Sequence, residues 1–380
     1  MKMQVQKYLE DNGLQALVDE FNMVVTDYPD RVVLNYNQID SPRFHPICDE
    51  CRALILRKDT WEVMARSFDR FYNVGEGESW KDFPVEKARI DEKLDGSLIS
   101  VYYDGEWQAS TRKMAFAEGG TAFGITFRQI FDKAVKNTRL MWYLDQQENK
   151  NFTYVFELTS PMNRVVTPYE DTSVTLIGIR NNYNGYEIGK RALDYVSEQT
   201  AIARPKVFEC DSIEDLQKQA ADLNVMDEGF VLVVEQDGTF RRLKCKNPKY
   251  VAIAHMRDNG SISPRRILTL IVANEYKEYL GYFPEDEKYF DYVKDIYDES
   301  LARILKIWDV TKDKESQKEF ALVVQEHSKY SYEQGILFKL RKDKQPLQEV
   351  IKGTDPKKLA KSLRLKEKFA KKFGVESEED

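Results

Sequence analysis

Cysteine is scarce in this chain. Four residues of 380 (Cys48, Cys51, Cys210 and Cys245) are too few for a disulfide framework, which points to a reducing compartment. Long apolar runs are missing as well, since nothing approaches the ~20 consecutive residues that a bilayer span requires. The N-terminal stretch MKMQVQKYLEDNGLQALVDEF is apolar at helical spacing (Val5, Leu9, Leu14, Leu17, Val18, Phe21), but acids interrupt it, unlike a signal peptide. A soluble, cytoplasmic protein with no membrane partner is expected. The third absence is a surplus of positive charge: 57 Lys and Arg against 64 Asp and Glu leave a net charge of −7. The chain as a whole therefore has no long-range attraction for polyanions, and any nucleic-acid binding must come from local concentration of cations. Internal repeats and low-complexity tracts are absent too.

With 42% hydrophobic and 12% aromatic residues, the chain can build the two or three cores that its length implies. Its charge is uneven. Residues 283–299 carry Glu285, Asp286, Glu287, Asp291, Asp295, Asp298 and Glu299, whereas residues 352–373 hold nine basic and two acidic groups. Up to about residue 250, β-branched and aromatic runs mark strands at 31–37, 52–57, 97–103, 106–112, 152–158, 173–180, 230–236 and 239–246. Asp104-Gly105 and Asp237-Gly238 lie between paired runs, the signature of type I′ hairpins and hence of antiparallel sheets. Beyond Lys246 the period becomes helical. Ser263 and Pro264 open one helix, Asp355 and Pro356 open another, and Gly374 closes the latter. The domains expected are 1–255, sheet-rich, and 256–380, helical.

Within the sheet-rich part, DEKLDGSLISVYYDGEW sets one amine, Lys93, two residues ahead of Asp95-Gly96 and at the mouth of a strand. Alone, K-x-D-G is a weak signal, because a lysine is ordinarily a solvated group. Its company strengthens it. Glu157 lies in YVFELTSP on the face opposite Tyr154, Phe156 and Leu158. Glu228 precedes Gly229 in DEGFVLVV. The returning strand ends in LKCK, so Lys244 and Lys246 share a face opposite Leu243 and Cys245. An edge strand protected by charge is the plain alternative for those two lysines.

K-x-D-G, an acid in an apolar strand, E-G, and then K-x-K is the ordered motif set of the covalent nucleotidyltransferases: ATP-dependent DNA ligases, RNA ligases and messenger-RNA capping enzymes. More closely, EKLDGSLIS, FTYVFELTSPMNRVVTPY, TLIGIRNNYNGYEI, EGFVLVV and LKCK, with ECRALIL and FDRFYN upstream, resemble the RNA ligase 1 family of T-even-type bacteriophages over residues 30 to 257. The resemblance implies an α+β fold: an antiparallel-sheet nucleotidyltransferase domain of the ATP-grasp-like ligase type, preceded by an N-terminal extension and followed by an all-helical C-terminal domain. It makes Lys93 the nucleophile that accepts AMP from ATP. A neutral amine is needed there, and Lys113, Lys244 and Lys246 are the cations expected to depress its pKa and to face the phosphates.

By the same resemblance Glu157 and Glu228 are the acids for Mg²⁺ (or Mn²⁺) and ribose, with the division between them left open. Glu92, Asp95 and Gly96 line the ATP site, where Asp95 orients the lysine or contacts ribose and Gly96 permits a tight turn. Arg52 and Arg70 match basic positions that bear on phosphate, with Arg70 a guanidinium where the family carries a lysine-like point charge. Tyr36 matches an aromatic near the adenine, or is a core strand residue. The implied reaction joins 5′-phosphate to 3′-hydroxyl RNA ends through lysyl-AMP and RNA-adenylate intermediates. The implied substrates are single-stranded ends or tRNA anticodon-loop breaks, as in RNA repair, and a monomer is expected.

His45, Cys48 and Cys51 in HPICDEC invite a zinc hypothesis, but a fourth ligand is lacking nearby and a reduced structural pair is the better reading. His255 reads as a surface or hinge residue. The basic C-terminal helix, with Leu359, Leu363, Leu365, Phe369 and Phe373, reads as a solvated amphipathic helix, with RNA-backbone contact as the alternative. The rivals in function are an ATP-dependent DNA ligase or a non-catalytic nucleic-acid-binding relative. A DNA ligase or capping enzyme would continue into a β-barrel after K-x-K, where this chain turns helical.

Overall fold

The computed structural model describes residues 2–78, 80–121, 124–236, 239–256, 262–343 and 347–374. They fall into two compact units, Met1–Ala252 and Ile253–Asp380. The first mixes helices with largely antiparallel sheets. Within the second, the described residues are helical.

In chain order the strands are β1 (Met23–Asp27), β2 (Arg31–Tyr36), β3 (Leu54–Arg57), β4 (Val63–Ala65), β5 (Tyr72–Asn73), β6 (Arg89–Glu92), β7 (Ser97–Asp104), β8 (Glu106–Thr111), β9 (Phe152–Thr159), β10 (Ser173–Asn181), β11 (Val207–Phe208), β12 (Gly229–Gln236) and β13 (Thr239–Lys246). They form three sheets, ordered β1-β2-β3-β4, β10-β9-β7-β8 and β11-β6-β12-β13-β5. All eight apolar runs read from the sequence are strands. The short β4, β5, β6 and β11 escape a period-two reading because two to four residues hold too few alternations to register.

The Asp104-Gly105 hairpin departs from type I′. Only Gly105 has positive φ (75°), whereas type I′ needs it at both central residues. Asp104 instead pairs with Glu106 in the ladder and commits its carboxylate to Arg31 at 2.6 Å and Arg57 at 2.8 Å. At the second hairpin Gln236 pairs with Thr239, while Asp237 and Gly238 lie outside the described residues.

Helices also interrupt the region expected to be strands and turns. Phe127–Val135, Leu140–Leu144 and Lys190–Thr200 cover one face of the β10-β9-β7-β8 sheet. There Ile130, Phe131, Leu144, Leu193 and Val196 join Tyr154, Phe156, Leu158 and Leu176 in one apolar core. Each such side chain contributes roughly 1.5–3 kcal/mol on burial. The first of these helices is capped by Thr126, whose side chain accepts from Gln129 N–H while Gln129 reaches back to the Thr126 N–H. A second core joins Val33, Ile55, Met64 and Ala65 of the N-terminal sheet to Tyr102 of β7, so the N-terminal sheet packs beside the central one. Cys48 and Cys51 lie buried in a third core with Leu17, Phe21, Leu34 and Leu54, as free thiols.

In the second unit Glu287–Thr311 is one continuous helix, but two other expected helices are each split. Ser263 caps Pro264–Ala273 by accepting from Arg266 N–H at 3.2 Å, but Asn274 turns left-handed (φ 61°) and ends it. Likewise Asp355 caps Pro356–Ser362 and Gly374 closes Leu365–Phe373, yet Arg364 at φ 52° separates the two. That break lets both Leu363 and Leu365 be buried, which one continuous helix would place about 200° apart.

Candidate active site

Residues 93–96 form the passage between two sheets. β6 ends at Glu92 in the five-stranded sheet and β7 begins at Ser97 in the central one, so Lys93 sits where the chain crosses. Its backbone N–H donates to the Gly229 carbonyl at 2.9 Å, fixing the crossing to β12. Its Nζ lies 2.7 Å from Glu228 Oε2, and Glu228 Oε1 lies 3.0 Å from Lys246 Nζ. One carboxylate thus bridges two ammonium groups. The Lys93 and Glu228 side chains are 20% and 8% exposed, so water screens this pair only weakly.

The expectation that neighbouring cations hold Lys93 neutral does not describe this structure. Burial pulls its pKa down, but the Glu228 and Glu157 carboxylates and the hydrogen bond to Glu228 push harder, and the net shift is upward. The lysine that is depressed is Lys244. Burial, with Lys93, Arg52 and Lys246 around it, brings it to about 7. Glu228 is held below its ordinary value, because Lys93 and Lys246 overcome the cost of its burial.

β9 presents Glu157 on the face opposite the Tyr154, Phe156 and Leu158 core. Its Oε1 accepts the Gly96 N–H at 3.1 Å. Burial, reinforced by Glu228 and opposed by Lys93 and Arg52, lifts its pKa to about 7. Gly96 matters here for close approach, not for a left-handed turn. A Cβ at this position would stand 2.4 Å from the Leu158 carbonyl oxygen. Of the two roles expected for Asp95, its contacts fit the orienting one, since its oxygens are taken by protein donors. Oδ2 accepts from Val166 N–H at 2.8 Å and Thr167 N–H at 2.7 Å, and Oδ1 accepts from the Tyr250 hydroxyl at 2.7 Å. Asp95 is therefore a positioning residue that ties the lysine's passage to the 166–167 loop and to the segment after β13.

The N-terminal sheet and the β5 edge of the five-stranded sheet add cations and rings. Tyr36 ends β2, Arg52 precedes β3, and Arg70 precedes β5. The Arg70 guanidinium lies 4.0 Å from the Tyr36 ring centre and 5.1 Å from that of Tyr72, and Arg112 lies 4.6 Å from Tyr36. Arg52 and the Lys244 ammonium stand 5.3 Å and 5.2 Å from the Phe71 ring. Nη1 of Arg52 and Nη1 of Arg70 are buried without a hydrogen-bond partner. Buried donors left unmade are costly, and anionic oxygens are the acceptors that suit a guanidinium.

Lys113 is exposed on the loop after β8, and Arg112, one residue earlier, stacks on Tyr36. Glu92 lies 4.0 Å from the exposed Lys206 ammonium, and its N–H donates to the Lys206 carbonyl. Arg112, Phe71 and Tyr250 were not singled out in the sequence. Phe71 adjoins Arg70 in FDRFYN, but nothing in the sequence marks Tyr250 as a partner of Asp95.

Among the described residues no group of three His, Cys, Asp or Glu side chains could hold a metal ion by protein ligands alone. Glu228, expected as a metal-binding acid, holds two ammonium groups in this structure. Glu157 stands outside the ion pairs seen among the described residues. One such carboxylate fits a hydrated Mg²⁺, which keeps most of its waters and shares substrate phosphates.

The family described as RNA ligase matches residues 50–250 of the chain, a span that contains Arg52, Arg70, Lys93, Glu157, Glu228, Lys244 and Lys246. A protein of Autographa californica nuclear polyhedrosis virus, described as a bifunctional polynucleotide kinase/RNA ligase, is 32% identical over 74% of this chain. The match spans 42% of that viral protein's length. An RNA ligase of Rhodothermus phage RM378 is 26% identical over 68% of this chain and 71% of its own. A solved structure from Aquifex aeolicus, described as an ATP-dependent DNA ligase, matches 83% of this chain and 87% of its own at 14% identity and a TM-score of 0.47, too loose a likeness to argue from.

Proposed function

Because the chain belongs to the RNA ligase family, we propose that it is an ATP-dependent RNA ligase that joins 5′-phosphate to 3′-hydroxyl ends. The observation that carries this reading is the placement of Lys93. It lies at the crossing of two sheets, ion-paired to Glu228, with Glu157, Lys244, Lys246 and the unsatisfied Arg52 donor gathered around it.

In this reading Lys93 Nζ attacks the α-phosphorus of ATP. An N–P bond forms, the bond to the bridging oxygen breaks, and pyrophosphate leaves. AMP then passes from Lys93 to the 5′-phosphate of RNA, and a 3′-hydroxyl displaces AMP to seal the strand. Each step is an in-line phosphoryl transfer, in which the protein positions the reactants and balances charge. With its pKa raised, Lys93 is an ammonium at neutral pH and must lose a proton before attack; nearby cations favour that loss, and Glu228 and Glu157 oppose it. Arg52 and Arg70 offer free donors to phosphate oxygens. Glu157 would hold Mg²⁺, which would supply charge neutralisation on the phosphates when bound.

The finer expectations stand as part of the same proposal: residues 1–255 as the adenylyltransferase domain of nucleotidyltransferase type, 256–380 as a helical domain bearing on substrate choice, single-stranded or tRNA anticodon-loop breaks as substrates, and a monomer acting in the cytoplasm. The helical character of 262–343 and 347–374 favours this reading over a DNA ligase or capping enzyme, which would place a β-barrel there. No helix among the described residues is long and apolar enough to cross a membrane. The test is incubation with α-labelled ATP and Mg²⁺, then with 5′-phosphorylated RNA. Acid-labile label on the wild type, absent from Lys93→Ala and transferable to RNA, is expected. An unlabelled folded wild type refutes the enzyme reading, and faster transfer to nicked duplex DNA than to single-stranded RNA refutes the choice of substrate.

A further inference from the structure

Phe44 is a large aromatic residue in a place where neither its backbone nor its surroundings favour one. Its φ is 59°, the left-handed region that bulky residues rarely occupy, and its side chain is 42% exposed. It takes no part in the apolar core that Ile47 and Cys48 join a few residues later.

The fold nonetheless holds this ring in one position. The Phe44 N–H donates to the Tyr72 hydroxyl at 2.7 Å, and that hydroxyl donates to Asp49 at 2.5 Å. One face of Phe44 stacks on Tyr72, with centres 4.1 Å apart and planes at 29°. The ring tip rests against Gly77, where a Cβ would come within 2.2 Å of Phe44 Cζ, so the neighbouring chain is bare where the ring lies. Glu76, beside it, is taken up by Arg43 at 2.7 Å and by Asn73, which blunts its charge.

Phe44 is also the outer end of a stack. Inward come Tyr72, the Arg70 guanidinium, Tyr36 and the Arg112 guanidinium, each within 5.1 Å of the next ring centre. The stack leads from the surface to the buried, unpartnered Arg70 Nη1. A phosphate held on Arg70 and a flat π-system laid on Phe44 together describe a nucleotide or two at the end of a strand.

We propose that the exposed face of Phe44 is a stacking platform for a nucleobase next to the 5′-phosphate end of single-stranded RNA. The proposal rests on the RNA ligase reading and names a subsite within it. Stacking on an aromatic face uses the π-surface that every base has, so this subsite tolerates any base while requiring that one be present.

The test compares wild type, Phe44→Ala and Phe44→Trp on two 5′-phosphorylated RNA oligonucleotides, one intact and one abasic at the 5′-terminal and adjacent positions. Protein carrying preformed lysyl-AMP reports AMP transfer, and fluorescence anisotropy reports binding without chemistry. Phe44→Ala should form lysyl-AMP at the wild-type rate but bind and adenylate the intact RNA roughly tenfold more weakly, the scale of one lost stack. Phe44→Trp should retain wild-type behaviour. The abasic RNA should cost the wild type the same factor and cost Phe44→Ala nothing more. Equal losses for Phe44→Ala on both RNAs, no loss on either, or slower lysyl-AMP formation with unchanged RNA transfer would each overturn the platform. If the wild type forms no lysyl-AMP but the anisotropy pattern holds, the ligase reading fails and the base platform stands.

Discussion

Replacing Glu228 with glutamine removes the carboxylate that keeps the Lys93 ammonium charged while leaving a side chain of the same shape. The attraction is large on paper. Two unit charges 2.7 Å apart interact by about 6 kcal/mol at an effective dielectric of about 20. That is a ceiling, because the Lys93 side chain is 20% exposed and Glu228 shares its charge with Lys246. A quarter of it, about 1.5 kcal/mol, corresponds to roughly one pKa unit. With the carboxylate gone, Glu157 still supports the Lys93 charge but burial is opposed by less, so the Lys93 pKa falls. The assay needs no catalysis. The protein is treated with a limiting amine-reactive reagent across a pH series, and modification of Lys93 is followed by peptide mass spectrometry. The wild-type midpoint should lie above that of an ordinary lysine, and the Glu228→Gln midpoint at least one pH unit below the wild type. The same variant leaves two partly buried ammonium groups without a partner, so its unfolding free energy should drop by about 3 kcal/mol or more. A Glu228→Gln midpoint equal to or above the wild type's would mean that Glu228 does not set the charge on Lys93.

Lys244, at about 7 in the free protein, is mostly neutral at pH 8, and an anion bound beside it raises its pKa. Tripolyphosphate binding at pH 8 should therefore take up protons. Calorimetry in two buffers of different ionisation enthalpy should show unequal heats for the wild type and equal heats for Lys244→Met, and equal heats for the wild type would refute the claim. Glu157 has a folded pKa of about 7, above its ordinary 4.5, so its protonated form contributes stability below pH 4.5 that is lost as pH rises to 7. Glu157→Gln should flatten that part of the pH–stability curve and stabilise the protein at pH 8 by up to about 3 kcal/mol. A variant curve parallel to the wild type's would exclude Glu157 as the group responsible.

What could be read from the sequence followed from strand alternation. With 152–158 and 239–246 as strands, Glu157, Lys244 and Lys246 must face away from Phe156, Leu243 and Cys245, and those apolar residues do lie in cores. The same logic stops at a strand end: β8 ends at Thr111, alternation lapses there, and the contact of Arg112 with Tyr36 has no signal in the pattern. Partners distant in sequence were invisible: Asp95 meets residues 71, 72 and 155 positions away, which no local pattern announces. The charge on Lys93 is not legible in the sequence for a related reason. The cations near it could be named from the motifs, but not that Glu228 would give it one oxygen and Lys246 the other. Helix breaks at Asn274 and Arg364 escaped notice because neither glycine nor proline marks them.

These misreadings share a physical origin that bears on how the site is built. The residues carrying the ordered motifs come from two sheets, while the anion donors and the aromatic stack come partly from the N-terminal sheet, with Tyr36 at the end of β2 and Arg52 before β3, and partly from the edge of the five-stranded sheet, with Arg70 and Tyr72 around β5. β5 pairs in parallel with β13, Leu243 against Tyr72 and Lys244 against Asn73, so the strand that delivers Lys244 also fixes the segment that delivers Arg70 and Phe71. The Lys93–Glu228–Lys246 triad spans the crossing to the central sheet. A ligand with several phosphates would satisfy the Arg52 and Arg70 donors and draw on Lys244 and Lys246 at once, and any share of Lys246 that it takes would leave more of the Glu228 charge to Lys93. Phosphate binding and the charge on Lys93 would then be coupled through one carboxylate, and the coupling would run through side chains that a strand-by-strand reading assigns to separate elements.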